Sequence, residues 1–132
     1  MTAMRSFHQL PAGLATPPSY SQVVADAGWL FVAGQVPNDP PNHLTPLPAD
    51  IEGQTRLAMA NLAAALGQAG AGLADLVSVR VFLTEFATEF EPMNAVYRRF
   101  FPPDRLPART CVGVTALAAG ARIEIDGIAR CG

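Results

Sequence analysis

Arg109 and Glu124 are the two side chains of this sequence whose type and setting could do chemistry on a small anion. Arg109 follows Pro107-Ala108, and Glu124 stands between two isoleucines. A guanidinium presents a planar fork of N–H donors that matches a carboxylate, while a carboxylate near a reacting group can move a proton. Together they could hold a small carboxylated molecule and a water, although an ordinary ion pair between strands would account for both residues as well.

The chain around these two residues alternates with the period of β-strands. In residues 107–114 and 122–129, polar or small residues alternate with apolar ones, which is typical of half-buried strands. If the apolar residues of both segments face one core, Arg109, Cys111 and Glu124 all lie on the opposite face of the sheet. Because no histidine is near Cys111 in sequence to activate its thiol, we interpret Cys111 as a small buried residue whose backbone matters more than its sulfur.

Other segments are predicted to form four more strands and two helices. The strands cover residues 5–8, 20–25, 29–33 and 77–83, and a turn at 26–28 joins the second and third as a hairpin. Asp50 is predicted to cap a helix that runs to about Ala69. A second helix is predicted to open with a capping box of Thr88 and Glu91, to hold Pro92 in its first turn, and to end before Pro102-Pro103.

The proline-rich stretches are predicted to be loops. Residues 37–48 hold five prolines, which fix φ and remove backbone donors, and residues 11–18 are punctuated in the same way. Two helices and about six strands, each with an apolar face, indicate a two-layer α+β architecture. The length of 132 residues predicts that residues 1–132 form a single domain.

Composition limits the classes of partner. Only 15% of the residues are charged, against about 25% in an average soluble domain, so we expect part of the surface to be covered by an oligomer interface. No apolar run approaches the roughly 18–20 residues that span a bilayer, so we expect no membrane partner. The net charge is −2, and the positive charge comes from nine arginines that form no basic stripe, so we expect no nucleic-acid partner.

Neither a metal nor a cofactor is expected. The sequence has no lysine, the residue that forms Schiff bases with pyridoxal phosphate or carbonyl substrates. The histidines, His8 and His43, and the cysteines, Cys111 and Cys131, lack the spacing of a zinc site. The first residues do not read as a secretory leader, so the expected location is the cytoplasm, with reduced thiols.

The order of several short motifs resembles the RidA (YjgF) imine and enamine deaminase family, whose members are also labelled endoribonuclease L-PSP or translation inhibitors. The matching pieces run nearly from end to end: Tyr20-Ser21-Gln22, Leu30–Gln35, Asp50–Thr55 with Asn61-Leu62, Val79–Leu83, Asn94–Tyr97 with Phe100-Phe101, Pro107–Thr110 and Ile123–Ala129. The Pro-Ala-Arg-Thr segment, with a glutamate fifteen positions after its arginine, is specific by itself. The other pieces are specific only in their order.

This resemblance implies a fold like that of chorismate mutase, with a mixed sheet of about six strands and two helices on one face. It also implies a homotrimer with sites in the clefts between subunits, and hydrolysis of reactive 2-imino or enamino acids to 2-oxo acids and ammonia, as in 2-iminobutanoate/2-iminopropanoate deaminases. By the same resemblance Arg109 binds the substrate carboxylate, and the Cys111 backbone and Glu124 position the hydrolytic water. Tyr20 lines the cleft, and Asn94 is a further candidate for the site.

The sequence departs from the family pattern at several positions. Pro18-Ser19 precede Tyr20 where Gly-Pro is common, Ala33 stands where the family often has serine, and Gly113 stands where a larger residue is frequent. The loop at 37–48 is richer in prolines and lacks the usual glycine turn. These changes leave the arginine and the glutamate intact, and they affect the pocket for the substrate side chain.

Two other functions stay open at this level. The first is a non-catalytic trimer that binds small carboxylates as a sensor or in a chaperone-like role, because a carboxylate clamp serves binding and catalysis equally. The second is an RNA-cleaving translation inhibitor, as the older family labels suggest. The acidic balance of the chain disfavours this second alternative.

Overall fold

Six strands form one mixed sheet, and two helices cover one of its faces. The computed structural model describes residues 4–10, 18–38 and 46–131. The strands are β1 Ser6–His8, β2 Val23–Asp26, β3 Trp29–Gln35, β4 Leu76–Leu83, β5 Ala108–Gly113 and β6 Ile123–Arg130. The helices are α1 Ile51–Gln68 and α2 Phe86–Tyr97. The predicted α+β class, with about six strands and two helices, is confirmed.

The strand order of the sheet is β1-β2-β3-β6-β4-β5. The last strand of the chain, β6, therefore lies inside the sheet, where it pairs antiparallel with both β3 and β4. The β4–β5 pair is parallel, and a parallel pair needs a crossover connection, which α2 provides here. This connection leaves β5 at one edge of the sheet.

Both ends of α1 are fixed by local signals in the sequence. The Asp50 carboxylate accepts a hydrogen bond from the Gly53 backbone N–H at 2.7 Å, as N-cap residues do. At the other end Gly70 has a φ of +79° and donates its N–H to the Gly67 carbonyl oxygen, an arrangement that glycine adopts readily because it lacks a Cβ. The predicted helix is thus confirmed to within a residue at each end.

The predicted start of α2 is wrong. The helix begins at Phe86, after Glu85, so Thr88 does not cap it and Pro92 lies inside the helix instead of in its first turn. The reason is an aromatic pair: Phe86 and Phe90 are one turn apart and have ring centroids 5.2 Å apart, a contact that favours helix at this spacing. Because Pro92 has no N–H, one carbonyl of the first turn lacks its usual helical partner.

The N-terminal hairpin forms at the predicted turn. Ala27 and Gly28 have φ values of +54° and +88°, the pair of positive angles that a type I′ turn requires. The strand β2 begins at Val23, later than predicted, which leaves Tyr20 outside the regular strand and 53% exposed. Most of the two predicted proline loops, together with His43, falls outside the described residues.

The core lies between the sheet and α1. Buried side chains from β3, β4 and β6, among them Leu30, Val81 and Ile125, pack in one cluster with Leu62 and Leu66 of α1. Within the described part of the chain, no helix is long and apolar enough to cross a membrane.

The opposite side of the sheet, here called the open face, carries large apolar side chains without a helix of the described residues over them. Phe31 is 47% exposed and Val112 is 41% exposed. Phe82 lies in register with Val112, and Ile128 lies in register with Phe31, so both share this face. These two apolar pairs lie on either side of the Arg80–Asp126 ion pair on the same face, and exposed apolar surface of this kind can mark an interaction site.

Gly127 allows β6 to pack closely against β4. A Cβ at this position would lie 2.7 Å from Cδ2 of Leu76 and 3.2 Å from the carbonyl oxygen of Ser78. Both distances are too short for an unstrained contact, so the absence of a side chain at Gly127 sets the spacing of the two strands. By contrast, a Cβ at Gly67 in α1 would meet nothing within 4 Å.

We predict that Gly127→Ala lowers the free energy of unfolding by about 1–3 kcal/mol, as overpacking a core does. The matched variant Gly67→Ala is expected to raise it by about 0.4–1 kcal/mol, because alanine reduces the freedom of the unfolded chain. Urea unfolding at one fixed protein concentration measures both. A Gly127→Ala protein as stable as the parent would contradict the close packing described for β4 and β6.

Candidate functional site

Arg109 lies on the helix side of β5, against α2. Its position is in register with Val79 of β4, which is fully buried. Nη1 of Arg109 donates to Oδ1 of Asn94 at 2.7 Å, and the guanidinium carbon lies 4.7 Å from the centroid of the Tyr97 ring, within cation–π range. Asn94 and Tyr97 are three residues apart on α2 and therefore share a helix face. That face determines where the guanidinium lies.

The charge of Arg109 is not neutralised by an acid of the described residues. The ion pairs found there involve other arginines, namely Arg5–Asp26, Arg80–Asp126 and Arg122–Glu89. A space of about 300 Å³ adjoins Arg109 and is also lined by Asn94, Tyr97 and Pro107; we call it the Arg109 pocket. Because its lining offers a guanidinium held by neutral partners, this pocket suits an anion such as a carboxylate.

Burial keeps the protonatable groups next to Arg109 neutral. It raises the pKa of the Tyr97 hydroxyl and the pKa of the Cys111 thiol, and the charge of Arg109 opposes the rise in both. Cys111 follows Arg109 on the same face of β5 and packs partly against the core. A thiol with a raised pKa is not activated for attack at neutral pH. What Cys111 offers to a ligand is therefore its backbone, on a strand with one free edge.

Glu124 lies beside Gly34, on the open face. It is in register with Phe82 of β4, and its carboxyl group lies across the backbone of Gly34 in β3. A Cβ at Gly34 would be 2.6 Å from Oε2 of Glu124, so only glycine leaves room for the carboxyl there. Burial raises the pKa of Glu124, and the charge of Asp126 raises it further.

A pocket of about 360 Å³ opens beside the Glu124 carboxyl; we call it the Glu124 pocket. Its lining includes Tyr20, Ala33, Gly34, Asn38, Ala118 and Ala119. Asn38 is only 4% exposed, and its Nδ2 has no hydrogen-bond partner among the described residues. The backbone of Asn38 is held by Asn61, whose Nδ2 donates to the Asn38 carbonyl oxygen at 2.9 Å.

Within one chain, Arg109 and Glu124 lie on opposite faces of the sheet, so the predicted common face is wrong. The register with β4 turns Arg109 and Cys111 toward the helices and leaves Thr110 and Val112 on the open face. The prediction fails because β5 is an edge strand, and its pairing with β4, not its own apolar residues, decides which side faces the core. The structure thus brings Arg109, Asn94 and Cys111 together, and it brings Tyr20 and Glu124 together elsewhere.

The side chains that could bind a metal do not come together in residues 4–10, 18–38 and 46–131, where no group of three His, Cys, Asp or Glu side chains has that geometry. His8 is in β1, at the sheet edge opposite β5, which carries Cys111. The chemistry that the two pockets offer comes from two guanidinium groups, a carboxyl, two phenols and amides.

Comparison with known proteins assigns the chain to one family. Residues 12–131 match the family described as endoribonuclease L-PSP. RutC family protein slr0709 of Synechocystis sp. is 36% identical over 110 residues, which cover 83% of this chain and 84% of that protein. TdcF of Escherichia coli K12, provisionally named a reactive intermediate deaminase, is 34% identical over 112 residues, with coverage of 83% and 84%. The crystal structure of Escherichia coli TdcF with bound serine matches with a TM-score of 0.80 at 29% identity, covering 94% of this chain and 98% of that chain.

This chain belongs to the RidA family. The resemblance to RidA (YjgF) proteins that the sequence motifs indicate is confirmed, and the mixed sheet with two helices on one face is the fold of the matched RidA-family structure. The family also explains why RutC, L-PSP and deaminase names occur together among the relatives.

Sequence reasoning missed two residues that shape this RidA-family site. Gly34 lies inside an apolar strand, where an isolated glycine signals the close approach of another group, so the signal for its role is present in the sequence. Tyr97 lies in the core cluster and is only 3% exposed, yet its ring also faces Arg109. Its spacing of three residues from Asn94 on a helix was the only sign that both could face Arg109.

We predict that Gly34→Ala displaces the Glu124 carboxyl without unfolding the protein. The added methyl collides with the end of a flexible side chain, which can swing away into solvent at little cost in stability. Since burial is the main cause of the raised pKa of Glu124, the pKa of this carboxyl should fall in the variant. An NMR pH titration of the Glu124 side chain measures the change. An unmoved titration midpoint would show that Gly34 does not set the position of the carboxyl.

Proposed function

We propose that the protein is a cytoplasmic homotrimer that hydrolyses reactive 2-imino or enamino acids to 2-oxo acids and ammonia. The observation that carries the proposal is a pair of half-buried opposite charges, Arg109 and Glu124, that have no ionic partner among the described residues. Half-buried charges without partners are unfavourable unless they serve a ligand. Both cysteines are free thiols, which fits a reducing compartment.

The site is formed between copies of the chain. Because the Arg109 pocket and the Glu124 pocket open on opposite faces of one sheet, a single substrate can touch both only where two copies meet. In the homotrimer that the family resemblance implies, this contact joins two different surfaces head-to-tail, and the ring has one site at each interface. The apolar open face supplies surface for that contact, in keeping with the low charged fraction of the sequence. Three copies is the number that the family resemblance implies.

Each residue has a distinct role in this proposal. Arg109 binds the substrate carboxylate through its guanidinium, which Asn94 and Tyr97 hold in place. Glu124 of the neighbouring copy accepts a proton from a water as that water attacks C2 of the imine, and the Cys111 backbone helps to orient the water. Tyr20 closes the side of the cleft beside Glu124. Glu124 then returns this proton to the nitrogen, which gives a tetrahedral carbinolamine. A second proton passes from the new C2 hydroxyl to the same nitrogen, the C2–N bond breaks, and ammonia leaves as the carbonyl of the 2-oxo acid forms.

Imine hydrolysis needs only the few functional groups that this site contains. An imine carbon is already electrophilic, so the reaction needs no covalent nucleophile. It gains from fixing the substrate by its carboxylate next to a water and from a general base, which typically contributes about 10²–10⁴-fold. The relative TdcF supports this assignment, because it is provisionally named a reactive intermediate deaminase and one of its structures holds serine, a molecule with the same carboxylate group.

The direct test measures imine hydrolysis in the Arg109→Ala and Glu124→Gln variants. An amino acid oxidase generates the imine, and loss of imine above the spontaneous rate is followed. Arg109→Ala should abolish hydrolysis and the binding of 2-oxo acids, whereas Glu124→Gln should lower the rate by about 10²–10⁴-fold and keep ligand binding. Arg105→Ala, which removes an exposed arginine four residues away, is the control and should be fully active. A parent protein that binds 2-oxo acids but hydrolyses no imine would instead identify a binding module.

A mixing experiment tests whether the site is shared between copies. Equal amounts of the inactive Arg109→Ala and Glu124→Gln chains are unfolded together and refolded. At each interface of a ring, the copy that supplies Arg109 has an intact arginine in about half the cases, and the copy that supplies Glu124 has an intact glutamate in about half. About a quarter of the sites therefore hold both residues, and about a quarter of the parent activity should return. Each variant refolded alone should remain inactive. No recovery on mixing, with intact oligomers, would show that both residues act from the same chain.

The rate should also depend on the protonation of Glu124. Its pKa is raised by burial and by Asp126, and only the ionised carboxylate can accept a proton from water. As pH falls through this raised pKa the base is lost, so kcat/KM should decline at a pH above that of an ordinary glutamate. In Glu124→Gln this acid limb should disappear from the pH profile. An acid limb that persists in the variant would assign it to another group.

A further inference from the structure

The Glu124 pocket is larger than the reacting atoms of a 2-imino acid require. Its volume is about 360 Å³, whereas an apolar cavity of about 150 Å³ already holds a benzene molecule. In the proposed site the carboxylate of the substrate lies in the Arg109 pocket of the neighbouring copy. The space beside Glu124 is therefore available to the rest of the substrate, which is its side chain.

Half of the residues that line this space have almost no side chain, and the others are Tyr20, Val36, Asn38 and Glu124. Ala33, Gly34, Ala118 and Ala119 all line it, and none extends beyond Cβ. Larger residues at these positions would fill the volume, so the alanines and the glycine are its cause.

The alanine wall is held in a defined shape. Ala119 has a φ of +58° and Gly120 a φ of +71°, and the N–H of Ala121 donates to the Ala118 carbonyl oxygen at 3.1 Å. This tight turn directly precedes β6 and so is tied to the strand that carries Glu124. The wall and the proposed base therefore keep a fixed relation to each other.

The amide of the lining, Asn38, is shared with a neighbouring space. Asn38 also borders a separate space of about 50 Å³, together with Gln22, Gln35 and Asn61. That space is large enough for about one water molecule, and its amides suit water better than a substrate side chain. The alanine side of the Glu124 pocket is left as an apolar wall.

We infer that this pocket selects 2-imino acids with a large apolar side chain, aromatic or branched aliphatic, over those with a methyl or ethyl group. The inference rests on the proposed function and names the substrate class of the same site. It makes Ala118 a specificity-determining residue, because Ala118 lines the space that a phenyl or isobutyl group would occupy.

The test compares kcat/KM for imines that an amino acid oxidase generates from phenylalanine, leucine and alanine. The phenylalanine and leucine imines should be hydrolysed with a kcat/KM at least about tenfold above that of the alanine imine, as apolar pockets discriminate. Ala118→Leu should lower the ratio of the phenylalanine rate to the alanine rate by about tenfold. Ala60→Leu, on the exposed side of α1, should leave that ratio unchanged.

Binding is measured in parallel, so that a failure of this inference can be told apart from a failure of the proposed function. Dissociation constants of the 2-oxo acids derived from phenylalanine and alanine are obtained by calorimetry for the parent and for Ala118→Leu. One outcome is that no imine is hydrolysed, while the 2-oxo acid from phenylalanine binds the parent more tightly than the one from alanine and loses this advantage in Ala118→Leu. In that case the pocket assignment stands and the deaminase proposal falls. If imines are hydrolysed with no preference for large side chains, or the Ala118→Leu ratio is unchanged, the inference is overturned and the deaminase proposal stands.

Discussion

The register between β4 and β5 is the constraint on which the other features of this site depend. Side chains of a strand alternate between faces, so pairing Arg109 with Val79 turns its guanidinium toward α2, while pairing Glu124 with Phe82 turns its carboxyl the other way. The two charges consequently cannot share one pocket within a chain. A protein built in this way carries two half-sites on different surfaces, and a site that contains both must include a second copy. The exposed aromatic and aliphatic side chains of the open face are consistent with that requirement.

In each candidate half-site the charged group is positioned by neutral residues. Asn94 and Tyr97 hold the guanidinium through a hydrogen bond and a ring face without neutralising its charge, and Gly34 gives the Glu124 carboxyl a place by having no side chain at all. An acid beside Arg109 or an arginine beside Glu124 would have stabilised the single chain, and it would also have occupied the group that a ligand needs. Other arginine and acidic side chains of the described residues form ion pairs, as in Arg80–Asp126 and Arg122–Glu89. The other arginines of the described residues that lack an ionic partner are exposed, so partial burial together with the missing acid singles out Arg109.

Membership of the RidA family settles the fold, whereas chemistry follows from the site. The relatives carry names as different as endoribonuclease and reactive intermediate deaminase. The net charge of −2 and the lack of a basic stripe in the sequence do not make the electrostatic surface that RNA backbones require. A guanidinium with no acidic partner among the described residues, next to a space of small-molecule size, fits a carboxylate much better. For this reason the deaminase assignment is the stronger of the two.

The amino-acid sequence by itself determined the class of fold, the ends of α1 and the two charged residues of the candidate site. These features depend on local signals, namely the Asp50 cap, the glycine after the helix, strand alternation and ordered family motifs. It did not determine where α2 begins, since the contact between Phe86 and Phe90 outweighed the capping pattern of Thr88. Nor did it determine the face on which Arg109 lies. An alternating pattern shows that two faces differ, but which face is buried depends on the neighbouring strand, and β5 pairs with a strand distant in sequence. Only the tertiary structure could decide that Arg109 and Glu124 point away from each other, because strand register is a property of pairs of strands and not of either strand alone.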